Sequence, residues 1–302
     1  TFALNPGKAE SNLDYLVHLD KLSSLGVLDP HSIDIAADSY HRYKEDVQMA
    51  ARLKLKVFRF SFSWPRILPT SNASEPNPLG VQHYHNLINE ILFYNMTPLA
   101  TLYHFDHPQS LETFNGWWGF EMVDKFAEYA TFVINEYGSK YSLIEPLIVE
   151  LCIRVTKGGS GGKGGTGGMP PSPSIGLEIA AWKGGKLPDN THVKMWTTVN
   201  EPNVLCTFFR LLYKTAGLKK IEDMDHLVCQ RHALLAHARA YRALEQSNHT
   251  GQMGLSLALI PAVPASTSAE DVYAANILNE MFAGILYHPV VYGDYSEVWA
   301  FK

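Results

Sequence analysis

The chain has 302 residues, of which 46% are hydrophobic and 18% charged, with a formal net charge of −5. That apolar share supports a sizeable core and excludes global disorder. No basic block faces a phosphate backbone, so no nucleic-acid partner is expected. The length allows two domains of ~150 residues or one α/β barrel of ~250, and the 12% aromatic content suits an aromatic-lined cleft as well as an aromatic core.

In chain order, the first 35 residues show little patterning. A helix follows Asp38, a suitable N-cap, with Tyr43, Val47, Ala50 and Ala51 on one face. Residues 57–64 alternate as a strand, Phe58, Phe60, Phe62 and Trp64 on one side and Val57, Arg59, Ser61 and Ser63 on the other. Next come a helix with Tyr84, Leu87, Ile88, Ile91 and Leu92 on one face, a strand over 98–105, and a helix facing inward with Val123, Phe126, Ala130, Val133 and Tyr137. The pattern then breaks. Eleven of the 22 glycines lie between Gly158 and Gly185, a composition that buries too little apolar surface to offset its backbone entropy, so no fixed fold is expected there. Strands resume at 193–200 and 251–260, with helices over 226–246 (Leu227, Leu234, Leu235, Ala238 and Tyr241 inward) and 269–285. This alternating order implies a parallel sheet with crossover helices.

Cys152, Cys206 and Cys229 are odd in number and widely spaced, so neither a disulfide framework nor a structural zinc site is expected. No apolar run of ~18 residues predicts a membrane span. Asn72, Asn95 and Asn248 each open an Asn-x-Ser/Thr sequon, which would permit glycosylation in a secreted protein.

In parallel β/α folds the chemistry gathers at the C-terminal strand ends. Arg59 lies on the polar face of the first strand. The second ends in His104-Phe105-Asp106-His107, and the third in Asn200-Glu201-Pro202. Of four Asn-Glu dipeptides only this last lies at a strand end. A Glu there, walled by aromatics, suits a general acid whose pKa burial would raise. The plainer readings are a solvated loop carboxylate or helix cap for Glu201, a packed core histidine for His104 and a structural pair for Arg59. A metal-dependent hydrolase would need His-x-His on the first strand, which is absent, and His83-x-His85 falls on a helix.

The motifs SYHRYKEDV (39–47), FRFSFSWPRILP (58–69), PLATLYHFDHPQ (98–109), NGWWG (115–119), KMWTTVNEPN (194–203) and HPVVYGDYSE (288–297) together resemble glycoside hydrolase family 1, the β-glucosidase family, over roughly 33–140 and 193–300. The resemblance implies a (β/α)8 TIM barrel that hydrolyses β-linked glycosides with retention and without a cofactor or metal. It implies Glu201 as catalytic acid/base, Asn200 and His104 as sugar-binding residues, Phe105 as an apolar wall of the substrate site where most members carry Trp, and Arg59 as support for the nucleophile. Secretion is expected from the sequons and the family's habit, although the sequence opens at Thr1 with no signal in view.

Two departures from the family pattern shape the expectation. No Thr-Glu-Asn-Gly segment, which bears the family's nucleophile, stands in the sequence, and the recognisable strands correspond to the family's second through fifth. Joining Lys140 directly to Val193 restores the family pattern, so 141–192 reads as a surplus insert, a translated intron. The expectation is a single incomplete TIM-barrel domain over 1–302, open at two strand edges and prone to associate. The alternatives are a non-catalytic carbohydrate-binding or protein-interaction pseudoenzyme, and a non-functional gene product.

Overall fold

The computed structural model describes residues 7–19, 35–138, 193–220, 222 and 225–296. The expected insert at 141–192 lies outside them. The elements run α1 (Asn12–His18), α2 (Ser39–Arg52), β1 (Val57–Ser61), α3 (Trp64–Ile67), α4 (Pro78–Phe93), β2 (Thr97–Tyr103), α5 (Glu121–Tyr137), β3 (Met195–Asn200), α6 (Pro202–Thr215), α7 (Asp225–Gln246), β4 (Gln252–Ser256), α8 (Ala269–Asn279) and α9 (Ile285–Tyr292). Two short 3-10 turns, Gln109–Phe114 and Gly116–Trp118, separate β2 from α5. The strands form one sheet in the order β1-β2-β3-β4, every pair parallel. No helix among the described residues is long and apolar enough to cross a membrane.

The register sorts the side chains into two faces. Arg59 pairs with Leu99, Leu99 with Met195 and Met195 with Gln252, and one step up Ser61, Thr101, Thr197 and Gly254 are aligned in the same way. Neighbours in register point the same way, so these rows form one face, where Val57 is exposed and Leu99 and Met195 are half-buried. The opposite face carries Phe60, Ala100, Trp196 and Met253 and lies under the helices. There Trp64 stacks on Tyr129 at 4.5 Å and Phe62 on Tyr137 at 4.8 Å. The buried phenols keep partners, as such groups must: Tyr129 donates to the Leu102 carbonyl, Tyr137 to the Val81 carbonyl, and Tyr84 accepts from the Ser63 amide.

Several boundaries differ from expectation for local reasons. β1 stops at Ser61 rather than at 64, because Pro65 sits in the first turn of α3, where its missing N–H costs nothing. β2 ends at Tyr103, two residues before the expected end, and Phe105, with φ 71°, turns the chain away. β4 covers 252–256, and Leu259 and Ile260 beyond it are exposed, not paired. Asp38 adopts φ 49° and binds His41 Nδ1 at 2.7 Å instead of capping a helix amide. The expected last helix is split by a π turn over Glu280–Gly284 into α8 and α9. In α7 the buried face runs through Cys229, His232, Ala233, Ala236, His237 and Ala240, while Tyr241 is exposed. Both histidines have partners, His232 Nδ1 with the Trp117 carbonyl and His237 Nδ1 with the Thr198 hydroxyl.

The sequence also hid α1, α6 and a disulfide. α6 buries Leu205, Cys206, Phe209, Leu212 and Tyr213, a helical spacing. It returns through a turn to α7, which brings Cys206 and Cys229 into a bond across 23 residues. The expectation of no disulfide is corrected: two facing helices supply the geometry that sequence spacing alone does not. Both cysteines are fully buried. Replacing both by Ala is expected to lower unfolding stability by about 2–4 kcal/mol, read by urea titration. Reductant should then lower the wild type but not the variant, and equal midpoints for oxidised wild type and variant would contradict the assignment.

Candidate active site

Strict alternation would place Asn200 on the helix side of β3, together with Thr198, whose hydroxyl meets His237 of α7 at 2.9 Å. It does not lie there. Between Thr197 and Asn200 β3 advances three residues while its partner advances two, from Gly254 to Ser256. This extra residue is a β-bulge, which reverses the facing of the residues after it. Asn200 thus joins the face of Arg59, and Arg59 Nη2 donates to Asn200 Oδ1 at 2.7 Å while its Nε donates to Thr101 Oγ1 at 3.1 Å. One guanidinium therefore ties together β1, β2 and β3 at their carboxyl ends. The structural pairing considered for Arg59 is thus real, and its partner is itself an expected site residue.

Glu201 comes immediately after. It holds φ 42°, in the left-handed region, at the N-cap position of α6, and its side chain makes no capping bond. Among the described residues its carboxylate makes no hydrogen bond or ion pair, and it is half-buried. The helix-cap reading is therefore excluded. Backbone strain of this kind persists only where surrounding bonds fix it, and they do so here. The Glu201 amide donates to the Ser256 carbonyl at 2.8 Å, and the Leu205 amide to the Glu201 carbonyl at 2.8 Å. Two residues on, the fully buried Asn203 donates to the Ala258 carbonyl at 2.7 Å and accepts from the Ala258 amide at 3.3 Å. Sequence reasoning passed over Asn203, although the motif NEPN contains it.

His104 is solvent-exposed, not a packed core histidine. Desolvation lowers its pKa; the Arg59 charge adds to the lowering, and the Glu201 charge opposes it. Arg59, Asn200, Glu201 and His104 thus share one electrostatic neighbourhood. The Phe105 ring turns instead toward α6, 6.0 Å from Phe209.

Behind this rim lies a buried polar network. His107 uses both ring nitrogens, Nδ1 with the Tyr103 hydroxyl at 3.0 Å and Nε2 with Glu112 Oε1 at 2.8 Å, so its role is internal to the protein. Tyr213 donates to the same Glu112 oxygen at 3.0 Å, and Lys219 Nζ lies 2.5 Å from Oε2. His107 and Asn12 exchange bonds through their backbones and the Asn12 side chain, at 2.9 and 3.0 Å. Burial pushes the Glu112 carboxyl up, but the hydrogen bond and charge of His107 and the charge of Lys219 outweigh it and hold it at about 2. Next to the network, burial pushes Asp106 up to about 6.

Asn203→Ala leaves both polar groups of Ala258 without these partners, and a loss of about 1–3 kcal/mol is expected in a urea titration. A carboxyl whose folded pKa lies below its ordinary 4.5 contributes stability that is fully present above that value and lost as the pH falls towards about 2. Glu112→Gln should therefore flatten the fall in melting temperature across that window. A variant profile as steep as the wild type there would contradict the network's electrostatics.

The comparisons bear on this geometry. The model of Glycosyl hydrolase family 1 matches residues 3–147 and 186–301. The match begins well before residue 33, where the motifs had suggested the resemblance starts, and the interval it leaves out lies inside 141–192. Myrosinase 1 of Brevicoryne brassicae is 30% identical over 296 residues, which cover 97% of this chain and 52% of that protein. Beta-glucosidase 11 of Arabidopsis thaliana is 32% identical over 269 residues, covering 87% and 48%. Among solved structures, aphid myrosinase superposes with a TM-score of 0.74 at 29% identity, covering 98% of this chain and 53% of that one. The family 1 β-glucosidase from Thermotoga maritima gives 0.71 at 26% identity, covering 98% and 54%. These structures are TIM barrels, and the chain spans about half the length of the curated relatives it matches. With an all-parallel β/α sheet, the Asn-Glu-Pro turn at its strand end and a match over most of its length, the chain belongs to glycosyl hydrolase family 1.

Proposed function

We propose that this protein hydrolyses O-glycosyl bonds of β-glucosides or related β-glycosides with retention of configuration, and that Glu201 is its acid/base. The observation that carries the reading is the junction of Arg59, Asn200, His104 and Glu201 at the carboxyl ends of β1, β2 and β3. In this reading the four strands are the second through fifth of a (β/α)8 barrel. Glu201 protonates the departing glycosidic oxygen while a carboxylate ~5–5.5 Å away attacks the anomeric carbon, and Glu201 then takes a proton from the water that releases the sugar. The second carboxylate belongs to a stretch that this sequence does not contain.

The residues divide the remaining work. Asn200, oriented by Arg59, donates its amide to the sugar 2-hydroxyl. His104 bonds a hydroxyl of the non-reducing sugar, and Phe105, its ring packed toward Phe209 of α6, backs the apolar side of the site with that helix. Arg59 keeps the attacking carboxylate ionised by its charge. The chemistry needs no cofactor. A secretory location is supported by the buried Cys206–Cys229 bond, since such bonds persist in oxidising compartments.

The test supplies the missing nucleophile from solution. With azide and an aryl β-glucoside, the chain should form the α-glucosyl azide by attack on the face opposite Glu201. For a leaving group that needs protonation, Glu201→Gln should slow this about 10²-fold or more; for a strongly acidic leaving group the loss should be small. Sugar binding of equal affinity in both proteins, with no turnover in either with or without azide, would sink the reading and leave a binding module.

A further inference from the structure

The three sequons have no part in the strand-end chemistry, yet the fold treats them alike: Asn72, Asn95 and Asn248 are all exposed. Asn72 lies in the loop between α3 and α4. Its Oδ1 accepts from both the amide and the hydroxyl of Ser74, the third residue of its own sequon, at 3.0 and 2.9 Å. Asn95 and Asn248 occupy the turns that lead into β2 and β4. Both therefore sit at the amino-terminal end of the sheet, opposite Glu201, where an added group leaves the strand-end cluster open.

The surroundings of Asn95 give such a group something to cover. Phe93 is 74% exposed, and Leu53 and Leu55, in the turn before β1, are 68% and 49% exposed. The Thr97 amide donates to the Lys56 carbonyl at 2.8 Å, which sets the two turns side by side. Neighbouring exposed apolar side chains of this size favour association unless something polar screens them. An independent observation concerns compartment. The buried Cys206–Cys229 bond forms in an oxidising environment, and the eukaryotic secretory route that provides it also carries the enzyme that modifies sequons.

We propose that this protein is an N-linked glycoprotein carrying glycans on Asn72, Asn95 and Asn248, the glycan on Asn95 screening the Phe93–Leu53–Leu55 patch. In each case the side-chain Nδ2 attacks the anomeric carbon of an oligosaccharide linked to a polyprenyl diphosphate. The C–N bond forms, the C–O bond to the diphosphate breaks, the polyprenyl diphosphate leaves with the electron pair, and one amide proton passes to a base. The assignment is independent of Glu201, and its readout is mass rather than activity.

The experiment directs the full chain into the secretory pathway of a cultured eukaryotic cell and maps the peptides of the secreted, folded protein by mass spectrometry. Glycopeptides are expected at all three positions, each becoming Asp after treatment with a peptide amidase. Asn72→Gln, Asn95→Gln and Asn248→Gln should each remove one mass step, and only Asn95→Gln should raise light scattering at equal concentration. An unmodified Asn in most of the secreted molecules overturns the assignment of that position, and three unmodified positions overturn the proposal. Unchanged scattering in Asn95→Gln overturns the screening role.

Discussion

One extra residue in β3 sets the geometry on which the rest of the site depends. Without it, Asn200 would share the helix side with Thr198, and Arg59 would face a sheet with no amide to bind. With it, Arg59 reaches Thr101 and Asn200 together, and three strands are locked at the height where Glu201 begins. The Arg59–Asn200 bond is charge-assisted and half-buried, a class of bond stronger than its neutral counterpart. The bulge also shortens β4 relative to β3. That lets the Ser256 carbonyl receive the Glu201 amide and fixes the left-handed residue from the side.

Glu201 is then held from below by α6. Pro202 starts that helix without a wasted donor, Asn203 binds it to the chain beyond β4, and Cys206 bonds it to α7. Each fixture acts on the backbone and leaves the carboxylate side chain alone. A group that must both give and take a proton is best left without a fixed internal partner while its position is set by the main chain. His104 faces the same space from β2, and the Glu112 network holds the loop that carries it.

Much of this was legible in the sequence because it obeys local rules. The alternation in VFRFS, the strand-end position of Asn-Glu-Pro and the apolar spacing of α4 and α5 each point to the element that formed. The hidden features depend on tertiary placement. The reversed facing of Asn200 is a property of two strands and cannot be seen in one. The disulfide needs the α6–α7 hairpin before its two cysteines meet. His232 and His237 break the apolar pattern of α7 because their partners, Trp117 and Thr198, are distant in sequence. The role of His107 is hidden although Tyr103 and Glu112 are near in sequence, because only the buried turn shows that they take both its ring nitrogens.

The short helix α1 bears on how the molecule assembles. Asn12 finds its partners at His107, 95 residues later. During synthesis the segment around α1 is made before β2 and its loop, and while Lys8, Ser11 and Asp14 find partners within the segment, Asn12 lacks its partner until His107 has been made. Closing so long a loop costs only slightly more entropy than closing a shorter one, but it cannot happen early. Residues 7–19 therefore clasp the loop beyond β2, where His107 is buried. Docking of α1 is thus a non-local step, joining residues as far apart in sequence as the pairing of β2 with β3.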